Sequence, residues 1–436
     1  ARVLLSVALM FHVNLLITAM QGRSERIFSL VFNLFMINLL VLPGIIQCSR
    51  GYFPFFAKSY PDDLVTKAAI TQLAFSFTFW LGCLVMPRRQ PSTYAGPRYE
   101  IDPRLAWAWI GGFSAVALLG FAASPAIFTT RRGDITELVF DPTPLTVLRT
   151  AFVRYSGYFA FLIALCTFLR RKSPGFAMML PVTFAIAVLV NNPLNIPRFP
   201  LIALVICSIF VLFDTAKQSF KVWFASIYTA GLVTVFPLLS TLSRGARGTA
   251  LFTDISSYYG SSGDFDGFQS IINVTYWIDN EGLKWGNQLI SAIFVFIPRD
   301  WWPTKGLGTG GVAAGYAGYP FTNISAPLPS EIYSDFGMVG VVLAGALIGC
   351  LIAWLDGAAD YARGNLGKLA QLGAAAGFTA ILLRGSLIGV IGPSGLAIVM
   401  GGLLGYVVYR PARAKRQARP MVGDLNVQGS RAQGRV

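Results

Sequence analysis

Charge is what this chain has least of. Only 13% of its 436 residues are Asp, Glu, Lys or Arg, against about 25% in an ordinary soluble protein. Hydrophobic residues make up 54%, and the mean hydropathy is +0.59. One water-soluble core cannot hide that much apolar surface, so lipid must act as part of the solvent. Histidine is nearly missing: a single residue, His12, excludes a histidine metal cluster and a histidine-based membrane acyltransferase. Cysteine is scarce too. Cys48, Cys83, Cys166, Cys207 and Cys350 form no Cys-x-x-Cys and lie in or beside apolar runs. They read as packing residues, not ligands or disulfides. No repeat of 20–50 residues and no low-complexity tract is visible. The net charge of +15 suits nucleic acid by sign alone, but basic residues in a lipid-dissolved chain chiefly orient it. No nucleic-acid partner is expected.

What is present is a series of long, unalternating apolar runs. A span needs about 20 mostly apolar residues and must satisfy its own backbone, as a helix or a closed barrel does. The absence of alternation selects helices. The reading is an all-α polytopic integral membrane protein of about 11 transmembrane helices. They are expected at about 3–21, 27–47, 64–86, 105–124, 149–169, 175–191, 199–213, 220–241, 331–355, 368–390 and 394–409. Residues 1–241 thus hold helices 1–8, and 242–330 form a large extracytoplasmic loop. Within that loop the apolar run 289–297 is too short to cross and is read as re-entrant or interfacial. Residues 331–409 hold helices 9–11, and 410–436 form a basic tail expected to be disordered and to touch anionic lipid.

Basic residues set the orientation. Arg23/Arg26, Arg88/Arg89/Arg98/Arg104, Arg170/Arg171/Lys172, Lys217/Lys221, Arg363/Lys368 and the tail together hold more than half of the 35 lysines and arginines. They fall on every second connection. That face is expected to be cytoplasmic, with the tail inside, 242–330 outside and residue 1 outside. The chain begins with Ala1 rather than Met, so a trimmed start is expected.

Chemistry-capable residues concentrate in FVFIPRDWWPTKGLGTGG (294–311) and PSEIYSDFGMVG (329–340). Pro298 and Pro303 stiffen the backbone around Arg299, Trp301 and Trp302, and the glycines after Lys305 allow close approach. Arg299 can form two parallel hydrogen bonds to a phosphate, and Lys305 can add a point charge. The tryptophans can stack on sugars. The same residues equally suit headgroup anchors and an aromatic belt. Ser330 can cap a helix. Glu331 and Asp335, four apart, share a helical face, and either can act as a general base or simply complement the helix dipole. Other exterior arginines are Arg198, Arg244, Arg247 and Arg384. Arg384 follows a long apolar run, where a cation is costly unless paired or wet. Arg131 and Arg132 beside Asp134 read as a solvated loop.

Several signals fail. GLGTGG (306–311) lacks the Lys-Ser/Thr of a nucleotide loop. Asp264-Phe265-Asp266-Gly267 opens like a calcium loop, but its twelfth position is Thr275; Asp254, Asp264 and Asp266 remain able to hold a cation or acceptor hydroxyls. Asn273 and Asn323 begin sequons of a kind common by chance.

Pro298, Arg299, Trp302, Pro303 and Lys305, then Glu331, Tyr333, Phe336 and Gly337, then Arg384-Gly385 one span later, together resemble the signature of the oligosaccharide repeat-unit polymerases. This is the O-antigen and exopolysaccharide polymerase family, often called Wzy. The chain departs from the pattern at Gly306, where proline is usual, at Ser330, where glycine is common, and at Ser386, where an acid is common; the last leaves Arg384 without its usual acid neighbour. The motif covers about a quarter of the chain.

The resemblance implies a GT-C-like fold in the bacterial cytoplasmic membrane, with the active site facing the periplasm. The activity implied is a glycosyltransferase without metal or other cofactor. A glycan on undecaprenyl diphosphate is transferred to a hydroxyl of another lipid-linked repeat unit. Its implied roles are diphosphate binding for Arg299, Lys305 and Arg384, with Arg198, Arg244 or Arg247 as further cations. Glu331 is the implied base, with Asp335 as helper or substitute. Trp301, Trp302, Tyr316 and Tyr319 are implied to hold sugar, beside the motif residue Tyr333. Membrane lipids, a flippase and a chain-length regulator are the partners implied. Two rivals stand beside it: a ligase that moves finished glycan to another acceptor, and a transporter or flippase of lipid-linked oligosaccharide, for which His12 and Arg154 are the main mid-span polar residues.

Overall fold

The computed structural model describes residues 1–86, 99–131, 134, 143–244, 255–322, 324–362 and 365–411. Its long elements are all helices. They are α1 (Arg2–Met20), α2 (Ile27–Arg50), α3 (Asp62–Val85), α4 (Pro103–Ala123), α5 (Pro144–Arg171), α6 (Pro174–Val190), α7 (Arg198–Leu212) and α8 (Gln218–Arg244). The chain continues through four short helices, α9 (Ile255–Ser261), α10 (Gly267–Glu281), α11 (Asn287–Ile293) and α12 (Thr309–Tyr316). It ends with α13 (Leu328–Ala362), α14 (Leu366–Arg384) and α15 (Leu387–Leu403). Residues 99–101 and 408–411 form a small antiparallel pair.

Local chemistry sets many of these boundaries. Pro103, Pro144 and Pro174 sit in first turns, where a missing N–H costs nothing. The Asp102 carboxylate accepts the Arg104 N–H at 2.7 Å, and the Asn365 side chain accepts the Lys368 N–H at 3.1 Å.

Among the described residues, eight helices are long and apolar enough to cross a membrane: α1–α5 and α13–α15. The expected spans at 175–191 and 199–213 form apolar helices of 17 and 15 residues. The segment 220–241 lies within α8, which is not among the eight. One expected boundary is corrected. The helix predicted over 368–390 stops at Arg384, and the next begins at Leu387 with Pro393 inside it. Arg384 is therefore a helix C-terminus, not a residue inside a span.

Glycines let the long helices approach closely. A Cβ on Gly345 would lie 2.1 Å from Thr78 Oγ1, one on Gly349 would lie 2.2 Å from Phe79 O, and one on Gly377 would lie 2.2 Å from Ala203 O. Such small-residue contacts are how helices associate where apolar burial gives no preference for a helix over lipid.

The connections fall into two groups. At one end, Glu25 N–H donates to Asp360 at 2.8 Å, Phe28 N–H donates to Asp356 at 3.0 Å, and the Lys221 ammonium donates to the Ala19 and Gly22 carbonyls at 3.0 and 3.1 Å. Arg171 donates to Ile101 O at 2.6 Å. Lys221 and Arg171 in these contacts belong to the basic connections read from the sequence; Arg88, Arg89, Arg98, Arg363 and most of the tail lie outside the described residues. The opposite end gathers 50–61, 124–130, 191–198, 255–322 and 384–387. Helix α10, expected within a loop, is packed into this end, with Gly267 to Thr275 all buried. Its Asn273 is buried too: the side chain accepts the Tyr60 hydroxyl at 2.7 Å.

Candidate functional site

A cavity of about 1140 Å³ opens at this second end, larger than the usual small-molecule pocket of about 300–1,000 Å³. Its charged lining residues are Arg154, Arg198, Asp264, Asp266 and Arg384. The two acids come from the tight turn between α9 and α10. Ser262 Oγ accepts the Asp264 N–H at 3.3 Å and starts that turn. Between the acids, Phe265 is fully buried against Tyr258 and Tyr259, at ring distances of 5.2 and 4.4 Å. One apolar anchor thus turns a carboxylate on each side of it toward the cavity. Gly267 completes the turn, since a Cβ there would meet Leu40 at 2.8 Å. Leu40 belongs to a π-helical turn in α2, Met36–Val41.

Each acid holds one arginine. Arg198, the first residue of α7, gives Asp264 a two-pronged pair at 2.9 and 2.6 Å, with both side chains buried. Arg384 reaches Asp266 at 3.3 Å and lies over the Phe199 ring at 4.5 Å. This pair is looser: the Arg384 side chain keeps a quarter of its exposure, while Asp266 keeps almost none. Asp266 also accepts the Ser325 N–H at 3.0 Å. The acid absent beside Arg384 in the sequence is therefore supplied from 118 residues away. Both acids that resemble a calcium loop are engaged with cations of the chain itself. Arg154, in α5, is buried; it donates to Val190 O at 3.0 Å and to the Asn195 side chain.

The other expected residues are placed as follows. Arg299 is exposed, does not line the cavity, and donates to the Lys305 and Gly306 carbonyls, both at 2.7 Å. Lys305 is buried and donates to Val295 O and Ile297 O, both at 2.7 Å. Burial, and then the Arg299 charge, push its pKa below the usual ammonium value. These two cations hold one loop closed rather than meeting Arg384, although the chain they hold leads into Leu307 and Gly308 on the cavity wall. Glu331 stands behind that wall. It accepts the Thr309 hydroxyl at 2.6 Å and the Leu387 N–H at 2.9 Å, so it caps α15 while the neighbouring Gly308 and Ser386 line the cavity. Asp335 lies elsewhere and accepts the Gln288 and Leu289 N–H groups at 3.1 and 2.8 Å, capping α11.

Among the aromatics, Trp301 is 82% exposed and Trp302 donates to Thr304 at 3.1 Å. Tyr316 packs edge-on to Tyr276 at 5.5 Å, and Tyr333 is buried. The Tyr319 hydroxyl shares a buried network with Tyr60, Gln269 and Asn273 at 2.9, 2.9 and 3.2 Å. Arg132, Arg247 and Asp254, the side chain of Arg244 and the sequon residue Asn323 lie outside the described residues.

The sequence marks Arg198 and Arg384 as candidates without pairing them to these acids. The signal was available: two carboxylates flanking one phenylalanine, in a chain so poor in charge, need cations nearby.

Fold and site together define a predominantly helical protein over the described residues, with long apolar helices suited to a membrane and an arginine-containing cavity at one end of them. In comparisons with known proteins, no family model, no curated protein and no solved structure matches the chain.

Proposed function

We propose that the chain is a polysaccharide polymerase of the Wzy type, acting at the outer face of a bacterial cytoplasmic membrane with its C-terminus in the cytoplasm. It would transfer a glycan from undecaprenyl diphosphate to a hydroxyl of a second lipid-linked repeat unit. One observation carries this reading beyond the motif: Arg198 and Arg384, far apart in sequence, stand in one large cavity through the adjacent acids Asp264 and Asp266.

In the reaction, the acceptor oxygen bonds to the anomeric carbon as the bond from that carbon to the diphosphate oxygen breaks. The bonding electrons leave with the diphosphate, and the hydroxyl proton passes to a base. Negative charge grows on the leaving group, where fixed guanidinium donors stabilise it most. Arg384 suits this role because its pair with Asp266 is loose and its side chain is partly open. Arg198 is committed to both oxygens of Asp264 and would shape the site. Arg299 and Lys305 would brace the wall through the loop they close. Glu331 remains the proposed base, one residue behind the cavity lining. Glu331→Gln keeps the size and the acceptor for Leu387, so it removes proton uptake with little change in packing.

The test is reconstitution. The purified chain in lipid nanodiscs, given only lipid-linked repeat units from a strain lacking this gene, is expected to produce a ladder of longer glycans. Transfer only when a different acceptor is added would indicate a ligase. Movement across vesicles without bond formation would indicate a flippase. Either result overturns the polymerase reading.

A further inference from the structure

The cavity has a second kind of wall. Residues 53–58 form a tight turn in which Phe53 N–H donates to Lys58 O at 3.1 Å and Lys58 N–H donates to Phe55 O at 3.4 Å. The buried Gln269 amide grips Phe55 from both sides, accepting its N–H at 2.9 Å and donating to its carbonyl at 3.2 Å. Phe56 is left at φ 63°, ψ 18°. A bulky residue with left-handed backbone is a steric outlier, and such outliers cluster at ligand clamps. Gly51, a few residues earlier, adopts the same region at φ 72° without that conflict. The strain gains little burial, because Phe56 is 61% exposed.

That ring joins a cluster. Phe56 lies 5.1 Å from Tyr319 and 6.1 Å from Phe321, and Phe55 lies 5.9 and 5.3 Å from the same two rings. Behind them Tyr60, Gln269 and Asn273 fix the Tyr319 hydroxyl, and the Lys58 ammonium sits 5.7 Å from the Tyr319 ring. Phe55, Phe321 and the exposed Thr322 line the cavity that holds Arg384, and Phe56 stands at the rim beside them, outside the lining itself and 6.1 Å from the Phe321 ring.

We propose that Phe55, Phe56 and Phe321 form a stacking platform for a sugar ring of the glycan substrate, with Tyr319 as its fixed backing. A sugar presents C–H groups on one face and hydroxyls at its edge, which suits tilted aromatic rings beside Thr322. An isoprenoid tail needs no hydroxyl partner and is better matched by the aliphatic lining at Val147, Ala151, Ile388 and Val390. The choice of ligand rests on the glycan-transfer reading; the platform itself rests on the strained turn and the ring cluster.

Phe56→Gly separates the two purposes a strained ring can serve, because it removes the ring and relieves the backbone. The probe is the oligosaccharide released by mild acid from lipid-linked repeats, with binding to the purified chain followed by saturation-transfer NMR. Wild type is expected to bind it. Phe56→Gly is expected to weaken binding about tenfold, the equivalent of one lost ring contact, with a Tm at or above wild type. Phe56→Trp should restore binding, and Phe321→Ala should lose it as well. No binding by wild type, unchanged binding by both Phe56→Gly and Phe321→Ala, or a Tm for Phe56→Gly below wild type overturns the platform. The last would mark the ring as a structural or lipid-facing anchor. Ladder formation is scored separately: binding without a ladder sinks the polymerase reading and leaves the platform standing.

Discussion

The loop at 298–306 and the cavity wall around Asp264 and Asp266 handle cations in opposite ways. In the loop, Arg299 and Lys305 satisfy carbonyls within ten residues of themselves. On the wall, Arg198 and Arg384 meet acids 66 and 118 residues away. A cation that finds carbonyl oxygens in its own loop stiffens the chain and leaves little donor capacity for a ligand. One whose partner arrives from another element joins helices and can stand at an opening between them. Density of basic residues in a motif is thus a poor guide to where charge faces a cavity.

The largest effect is expected at the buried pair of Arg198 and Asp264. Asp264→Ala strands Arg198 without its buried carboxylate and is expected to cost about 3–5 kcal/mol of stability, read as a large fall in Tm in detergent. Arg198→Met combined with Asp264→Leu should recover most of that loss while changing the cavity wall. A full wild-type Tm for Asp264→Ala would deny the pair any structural weight.

Arg384→Lys keeps the charge but loses the planar fork. A drop of about 100-fold in ladder formation is expected, the usual effect of removing one transition-state donor, with little change in Tm. Arg299→Lys is expected to leave the ladder largely intact; if it abolishes the ladder while Arg384→Lys does not, the assignment of the two arginines reverses.

Lys305→Met leaves the Val295 and Ile297 carbonyls without their donor and should cost about 2 kcal/mol. Limited proteolysis between 295 and 308 would report it as faster cleavage. Thr309→Val removes one hydrogen bond to Glu331 at nearly constant size and should cost about 1 kcal/mol. This smallest effect sharpens the contrast only if Thr309→Val slows the ladder less than Glu331→Gln does.

Much of the architecture was legible in the sequence because the signals are local. An apolar run of helical length announces itself, and proline in a first turn or a capping Asp102 marks where a helix begins. The break at Gly385 is not marked by a long polar stretch, since Arg384 and Ser386 are the only strongly polar residues between Phe378 and Pro393 apart from Thr379; Gly385 and Ser386 end α14 where the Ser386 hydroxyl accepts the Gly310 N–H and Glu331 caps the following helix. The Wzy-like motif marked Arg384 as interesting but gave no hint of its partner.

The chain's own order of residues determined the helices, their polarity and the shortage of charge. Those follow from side-chain solubility and backbone satisfaction, which act within a single segment. Only the packed structure decided which cations close a loop, which hold an acid and which border the cavity. A charge taken out of water must find an opposite charge or a set of polar groups, and which partner it meets depends on how distant helices cross.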